Sequence, residues 1–139
     1  MKRPIFFLIL ILAINLAGMY YQLYLNYSWF DQVLHFSGGF FVAMLFSIYL
    51  KNHLRSGEKL KNILIILSTV AFMGVAWEFS EYIASLTLIN PIYSHFHIRT
   101  YFIGDLEDTL NDLLMGILGA CFFAGFILHP FWRRKTHQV

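Results

Sequence analysis

The chain has 139 residues, of which 58% are hydrophobic and only 13% charged, about half the charged share of an ordinary soluble domain. Fifteen Phe, eight Tyr and three Trp exclude intrinsic disorder, and a single cysteine, Cys121, excludes a disulfide scaffold. A net charge of +2, with no basic patch interleaved with aromatics, excludes a nucleic-acid binder. An all-α integral membrane protein remains, a single domain over residues 1–139 with the lipid bilayer as its surroundings.

Four stretches have the length and apolarity of a spanning helix, which needs about 20 residues. The first, residues 4–25, contains no charge. Lys2 and Arg3 precede it as they would a secretory signal, but its apolar character runs on through Tyr20, Tyr21 and Tyr24. That is well past a signal core of about 7–15 residues, so it reads as a retained anchor. The second covers residues 33–50 and the third 63–85. The fourth covers 106–128 and is apolar only beyond Asp112. The sequence therefore predicts a bundle of four transmembrane helices.

Basic residues set the expected orientation. Lys2, Arg3, Lys51, Arg55, Lys59, Lys61, Arg133, Arg134 and Lys135 fall on one side of this arrangement, and Arg99 alone on the other. The positive-inside rule places both termini and the 51–61 loop in the cytoplasm. Tyr20, Tyr21, Tyr24, Tyr27 and Trp29 would mark the outer interface, with Phe131 and Trp132 at the inner one.

The acids sort oppositely. Asp31, Glu78, Glu81, Asp105, Glu107, Asp108 and Asp112 avoid the cytoplasmic side, where only Glu58 lies. Helical rise puts Glu78 and Asp112 each roughly 10 Å inside the outer ends of their spans, with His35 about a turn inside its own. An intramembrane carboxylate costs about 2.5–3.5 kcal/mol on insertion scales, so such residues rarely face lipid.

Phase points the same way. Asp105, Asp108 and Asp112 share one helix face that continues into Gly116 and Gly119. Asp31 and His35 stand i, i+4 above Gly38, Gly39 and Val42. Glu78 and Glu81 share an arc with Ala71, Gly74 and Ser85, and Asn15, Gly18 and Gln22 form a similar stripe in the first span. Small residues let helices approach closely in lipid, so these stripes should face one another and gather the acids and His35 in one pocket.

Five or six carboxylates in a low dielectric need shared protons or a cation, and no Lys or Arg lies within the spans. A divalent metal is the simplest compensation. Carboxylates with one imidazole suit Mg, Mn, Ca, Fe or Zn without choosing among them. The expected ligands are Asp31, His35, Glu81, Asp105, Asp108 and Asp112, with Glu78 as candidate acid/base and Arg99 as candidate phosphate clamp. Helix capping competes with ligation at Asp31, and capping or helix-dipole stabilisation at Asp105 and Asp108. His95 and His97 read as part of an extended, solvated segment able to close over the pocket. His53, His129 and His137 read as cytoplasmic-side residues, and Cys121 as a small packing residue.

Phe30-Asp31-Gln32-Val33-Leu34-His35-Phe36-Ser37-Gly38-Gly39-Phe40 resembles the aromatic-Asp-x-x-x-His-x-x-x-Gly-Phe segment of the YjdF-like family of predicted bacterial membrane proteins. Gly104-Asp105-Leu106-Glu107-Asp108-Thr109-Leu110-Asn111-Asp112 is similar to that family's Gly-Asp-x-x-Asp-Thr-x-x-Asp segment, and Trp77-Glu78-Phe79-Ser80-Glu81 more loosely to its glutamate-bearing helix. A wider pattern also resembles VanZ-like proteins. The resemblance implies a polytopic plasma-membrane protein whose acids form a set, and implies no activity.

No paired Glu-x-x-His of a di-metal bundle, and no Walker, Gly-x-Ser-x-Gly or Cys-x-x-Cys signature, is present. Three functions stay open: a metal-dependent enzyme acting on a lipid or envelope substrate, a proton- or cation-coupled binding or transport module, and a non-catalytic partner subunit. Whether the chain is an enzyme, and its oligomeric state, are not written in the sequence.

Overall fold

A computed structural model describes residues 1–54, 58–100 and 102–128. The expectations that fall on Arg55, His129, Phe131, Trp132, Arg133, Arg134, Lys135 and His137 lie outside the described residues.

In lipid a backbone must satisfy its own N–H and C=O groups, and the apolar runs do so as helices. In chain order these are α1 (Lys2–Tyr20), α2 (Leu23–Asn26), α3 (Trp29–Tyr49), α4 (Lys59–Thr87), α5 (Ile89–Phe96) and α6 (Leu106–Phe122), the last running into a π-helical segment, Phe123–Leu128. No strand occurs among the described residues. Three helices, α1, α3 and α4, are long and apolar enough to cross a membrane. The 17 residues of α6 rise only about 25 Å, short of a hydrocarbon core of about 30 Å. Among the described residues, three helices thus qualify as spans by length and composition, and α6 reaches a spanning length only together with the π-helical segment that follows it.

The first span does not continue as one helix to residue 25. After α1 the chain turns at Gln22, whose φ of 55° is left-handed, and Asn26 Nδ2 donates to the Gln22 carbonyl at 3.1 Å across the short α2. This turn lays Tyr24 edge-on against Phe30 of α3, with ring centroids 5.1 Å apart. Gly18 leaves room for both rings, since a Cβ there would strike Phe30.

The expected extended segment at 93–97 is instead helical as far as Phe96. Pro91 sits in the first turn of α5, where its missing N–H is tolerated. His95 Nδ1 lies 2.9 Å from the Pro91 carbonyl and His97 Nδ1 3.1 Å from that of Tyr93, so both rings satisfy this helix.

The centre of the bundle is α3, which packs against α1, α4 and α6, while α4 also packs on α6. Its closest neighbour is α6. A Cβ on Gly39 would lie 2.7 Å from the Gly116 Cα, and one on Gly119 would run into the Phe36 carbonyl. These helices touch backbone to backbone, the approach that small residues permit. Below the glycines the core is small: Ala43, Ile66, Val70, Ala120 and Phe123. Phe123 meets Phe40 edge to face at 5.4 Å, and α1 is held to α3 by stacking of Phe7 on Phe41 at 4.6 Å.

Outward faces are apolar, with Ile9, Phe72 and Leu118 all exposed. In water such faces would be a large sticky surface, and in lipid they are the favourable one. Cys121, expected to pack within the bundle, is exposed on this outer surface. Its helix turns Gly119 and Ala120 inward and leaves the next position outside.

Candidate functional site

The glycine contact between α3 and α6 positions the first half of the site. His35 stands one turn before Gly39 and Asp112 one turn before Gly116, so the helices that meet at the glycines bring these side chains together. His35 Nε2 lies 3.8 Å from Asp112 Oδ2 and 3.3 Å from Asp31 Oδ1, the latter one turn earlier on α3. One ligand atom from each of Asp31, His35 and Asp112 fits within 4.8 Å of the other two.

The second half comes from α4. Glu78 and Glu81, nearly a turn apart, each offer an oxygen within 4.8 Å of the other and of a ring nitrogen of His35. Ligands sharing one cation at about 2.0–2.2 Å stand no more than about 4.4 Å apart, so a contraction of a few tenths of an ångström would let either group close on an ion.

Between these halves lies a cavity of about 10 Å³, lined by Tyr24, Asp31, Glu78, Glu81, Asp108 and Asp112 and closed by the loop residues Phe102, Ile103 and Gly104. That is room for one water-sized occupant. Glu78 is 7% exposed and Asp112 4%, and Glu78 Oε1 and Asp112 Oδ1 are buried without a hydrogen-bond partner. The Tyr24 hydroxyl is likewise buried and unpartnered. Buried carboxylate oxygens are nearly always satisfied, because leaving one bare costs its full desolvation. Among the described residues no Lys or Arg forms an ion pair with these acids. Clustered carboxylates, bare lone pairs and a void of ionic size therefore coincide.

Five of the residues singled out from sequence as ligands or acid/base converge here: Asp31, His35, Glu78, Glu81 and Asp112. Asp108 lines the cavity as a sixth. Asp105 does not join them. It is exposed and caps α6, its Oδ1 accepting from the Asp108 N–H at 3.0 Å. Arg99 is exposed and does not line the cavity. His95 and His97 are exposed on α5 and at its end, and Ser85 hydrogen-bonds the Tyr82 carbonyl of its own helix.

Tyr24 is the residue that sequence reasoning placed elsewhere, in an interfacial aromatic belt. Only the left-handed turn at Gln22 carries it over the acids, and nothing in a run of tyrosines announces that turn.

The arrangement can coordinate a hard or borderline divalent cation through carboxylate oxygens and one imidazole. It can equally hold water against a basic carboxylate in a dry surrounding. Residues 2–133 match the family described as "Predicted membrane protein (DUF2238)". An uncharacterized protein of Thermotoga maritima is 25% identical over 128 residues, covering 88% of this chain. The chain spans 62% of that relative's length. No solved structure matches.

Proposed function

We propose that this chain, which belongs to the DUF2238 family of predicted membrane proteins, holds one divalent cation in its acidic cavity and acts as a metal-dependent enzyme on a lipid or envelope substrate. One observation carries the reading: Glu78 Oε1 and Asp112 Oδ1 are buried, bare and gathered with four further polar side chains around a void the size of an ion. Asp31, His35, Glu81 and Asp112 serve as ligands, with Asp108 at the mouth. Bound there, the cation would supply Lewis acidity toward a phosphoryl or carbonyl oxygen and lower the pKa of a bound water.

The protein's own groups do the remaining work. Asp31 and Asp112 both approach Nε2 of His35 and hold that nitrogen toward the acids. Glu78, buried in the cavity wall with Oε1 unpartnered, is placed to take or return a proton. The loop 102–104 shields the cavity on one side and excludes bulk water. In this reading α6 and the π-helical segment form a fourth span, both termini are cytoplasmic, and the site opens toward the outer face of the plasma membrane.

Elemental analysis and cation titration of the purified protein test the proposal. One divalent cation per chain is expected, with affinity falling at least ten-fold in His35→Ala and Asp112→Asn and unchanged in Glu107→Gln, whose exposed carboxylate lies outside the cavity. Wild-type protein that takes up no divalent cation, or equal losses in all three variants, would overturn it.

A further inference from the structure

A second and larger cavity, about 300 Å³, lies beside the acidic one; Asp112 lines both, and His35, which contacts Asp31 and Asp112, lines the larger. Its walls come from α1, α3, α4 and α6. The polarity of that wall is ordered along the bundle. At one end stand His35, Asp112 and the buried Asn15; about 10 Å further along the same helices stand Val42 and Leu8, seven residues on from His35 and seven before Asn15. All three polar residues lie in the half of their helix on the side of the acids, so the cavity has a polar head and an apolar body.

This cavity also has a side opening. Leu12 of α1 and Met73 and Trp77 of α4 line it, yet are 44%, 40% and 36% exposed. They form lips between α1 and α4, helices that each pack on α3. Both lips lie on apolar outer faces, so the opening leads to lipid rather than water. A void of this size lacks dispersion contacts and falls at the lower end of the range for small-molecule sites.

We infer that a hydrocarbon chain of a membrane lipid enters between α1 and α4 and fills this cavity, which brings the lipid's head group to His35 and Asp112. The inference rests on the proposed cation site for the role of that head group and names its substrate class. A lipid is the occupant these surroundings supply: the entrance faces acyl chains, the body is apolar, and the polar end meets the acids. A water-soluble substrate would meet an apolar wall over most of its length. Gly38 also lines the cavity, and a Cβ built there meets nothing within 4 Å, so that helix position is left open where Gly39 beside it is filled by Gly116.

The full chain reconstituted in vesicles of phosphatidylglycerol carrying a photoactivatable group on one acyl chain provides the test. Leu34 and Val70 line the cavity but are buried, so bulk lipid does not reach them, whereas the outward Phe72 reports bulk lipid. Adducts are expected on Leu34 and Val70 as well as on Phe72. Gly38→Leu and Ala71→Leu, which fill the cavity from α3 and from α4, should cut the Leu34 and Val70 adducts at least five-fold and leave that on Phe72 unchanged. Adducts confined to Phe72 in the wild type, or Leu34 and Val70 adducts that survive both substitutions, would overturn the inference. Cation content measured on the same samples separates the two readings. Adducts without a cation would end the cation reading alone, and a cation without buried adducts would end this one.

Discussion

Replacing Gly39 by alanine perturbs the contact on which the site's geometry depends. A Cβ there lies 2.7 Å from the Gly116 Cα and still closer to its carbonyl, where ordinary carbon contacts begin near 3.5–4.0 Å. The obstacle is backbone, so no rotamer relieves it, and α3 and α6 must part by about 1 Å. Overpacking of this kind costs about 1–3 kcal/mol, and a backbone obstacle puts Gly39→Ala in the upper part, about 2–3 kcal/mol. That is a 30- to 150-fold fall in the folded-to-unfolded ratio. His35 and Asp112 each stand one turn from this contact, so their 3.8 Å separation should widen by a similar amount and weaken cation binding. Gly38→Ala is the control, because the neighbouring Cβ enters open space and the helix gains propensity. Unfolding followed by tryptophan fluorescence in one detergent, with a cation titration on each variant, measures both effects. Equal unfolding midpoints for Gly39→Ala and Gly38→Ala would refute the packing argument.

The remaining predictions separate structural from site residues. Asp105→Ala should cost about 1 kcal/mol through loss of the α6 cap and leave cation affinity unchanged, as read by the same unfolding and titration. Tyr24→Phe removes a buried hydroxyl that has no partner, so stability without added cation should hold or rise, while cation affinity should fall about ten-fold because Tyr24 lines the cavity. Arg99→Ala should alter stability by less than about 0.5 kcal/mol, because its side chain is exposed, and should leave cation content at the wild-type level.

Long apolar runs and small-residue stripes made much of this fold legible before any coordinates. The i, i+4 placement of Asp31 and His35 above Gly39, and of Asp112 above Gly116, already implied that two helices meeting at glycine would carry these groups together. Helix ends were harder to read. Gln22 adopts a left-handed turn as a non-glycine residue, so α1 stops at Tyr20 although apolar character continues. The alternation from Tyr93 to His97 suggested an extended segment because its period of two was visible, while the short helix starting at Ile89 carries Pro91 in its first turn. Asp105 had two roles compatible with its place at a helix start, and the hydrogen bond to the Asp108 N–H shows the cap. Cys121 differs from Ala120 by one position, about 100° of helix rotation, which separates core from lipid-facing surface.

Anomalous diffraction from crystals grown with manganese or zinc locates the cation most directly. A single anomalous peak is expected in the cavity between α3, α4 and α6, about 2.0–2.2 Å from a ring nitrogen of His35 and from carboxylate oxygens that include those of Asp112. A cavity holding only water hydrogen-bonded to Glu78 and Asp112, with metal confined to exposed acids such as Glu107, would contradict it.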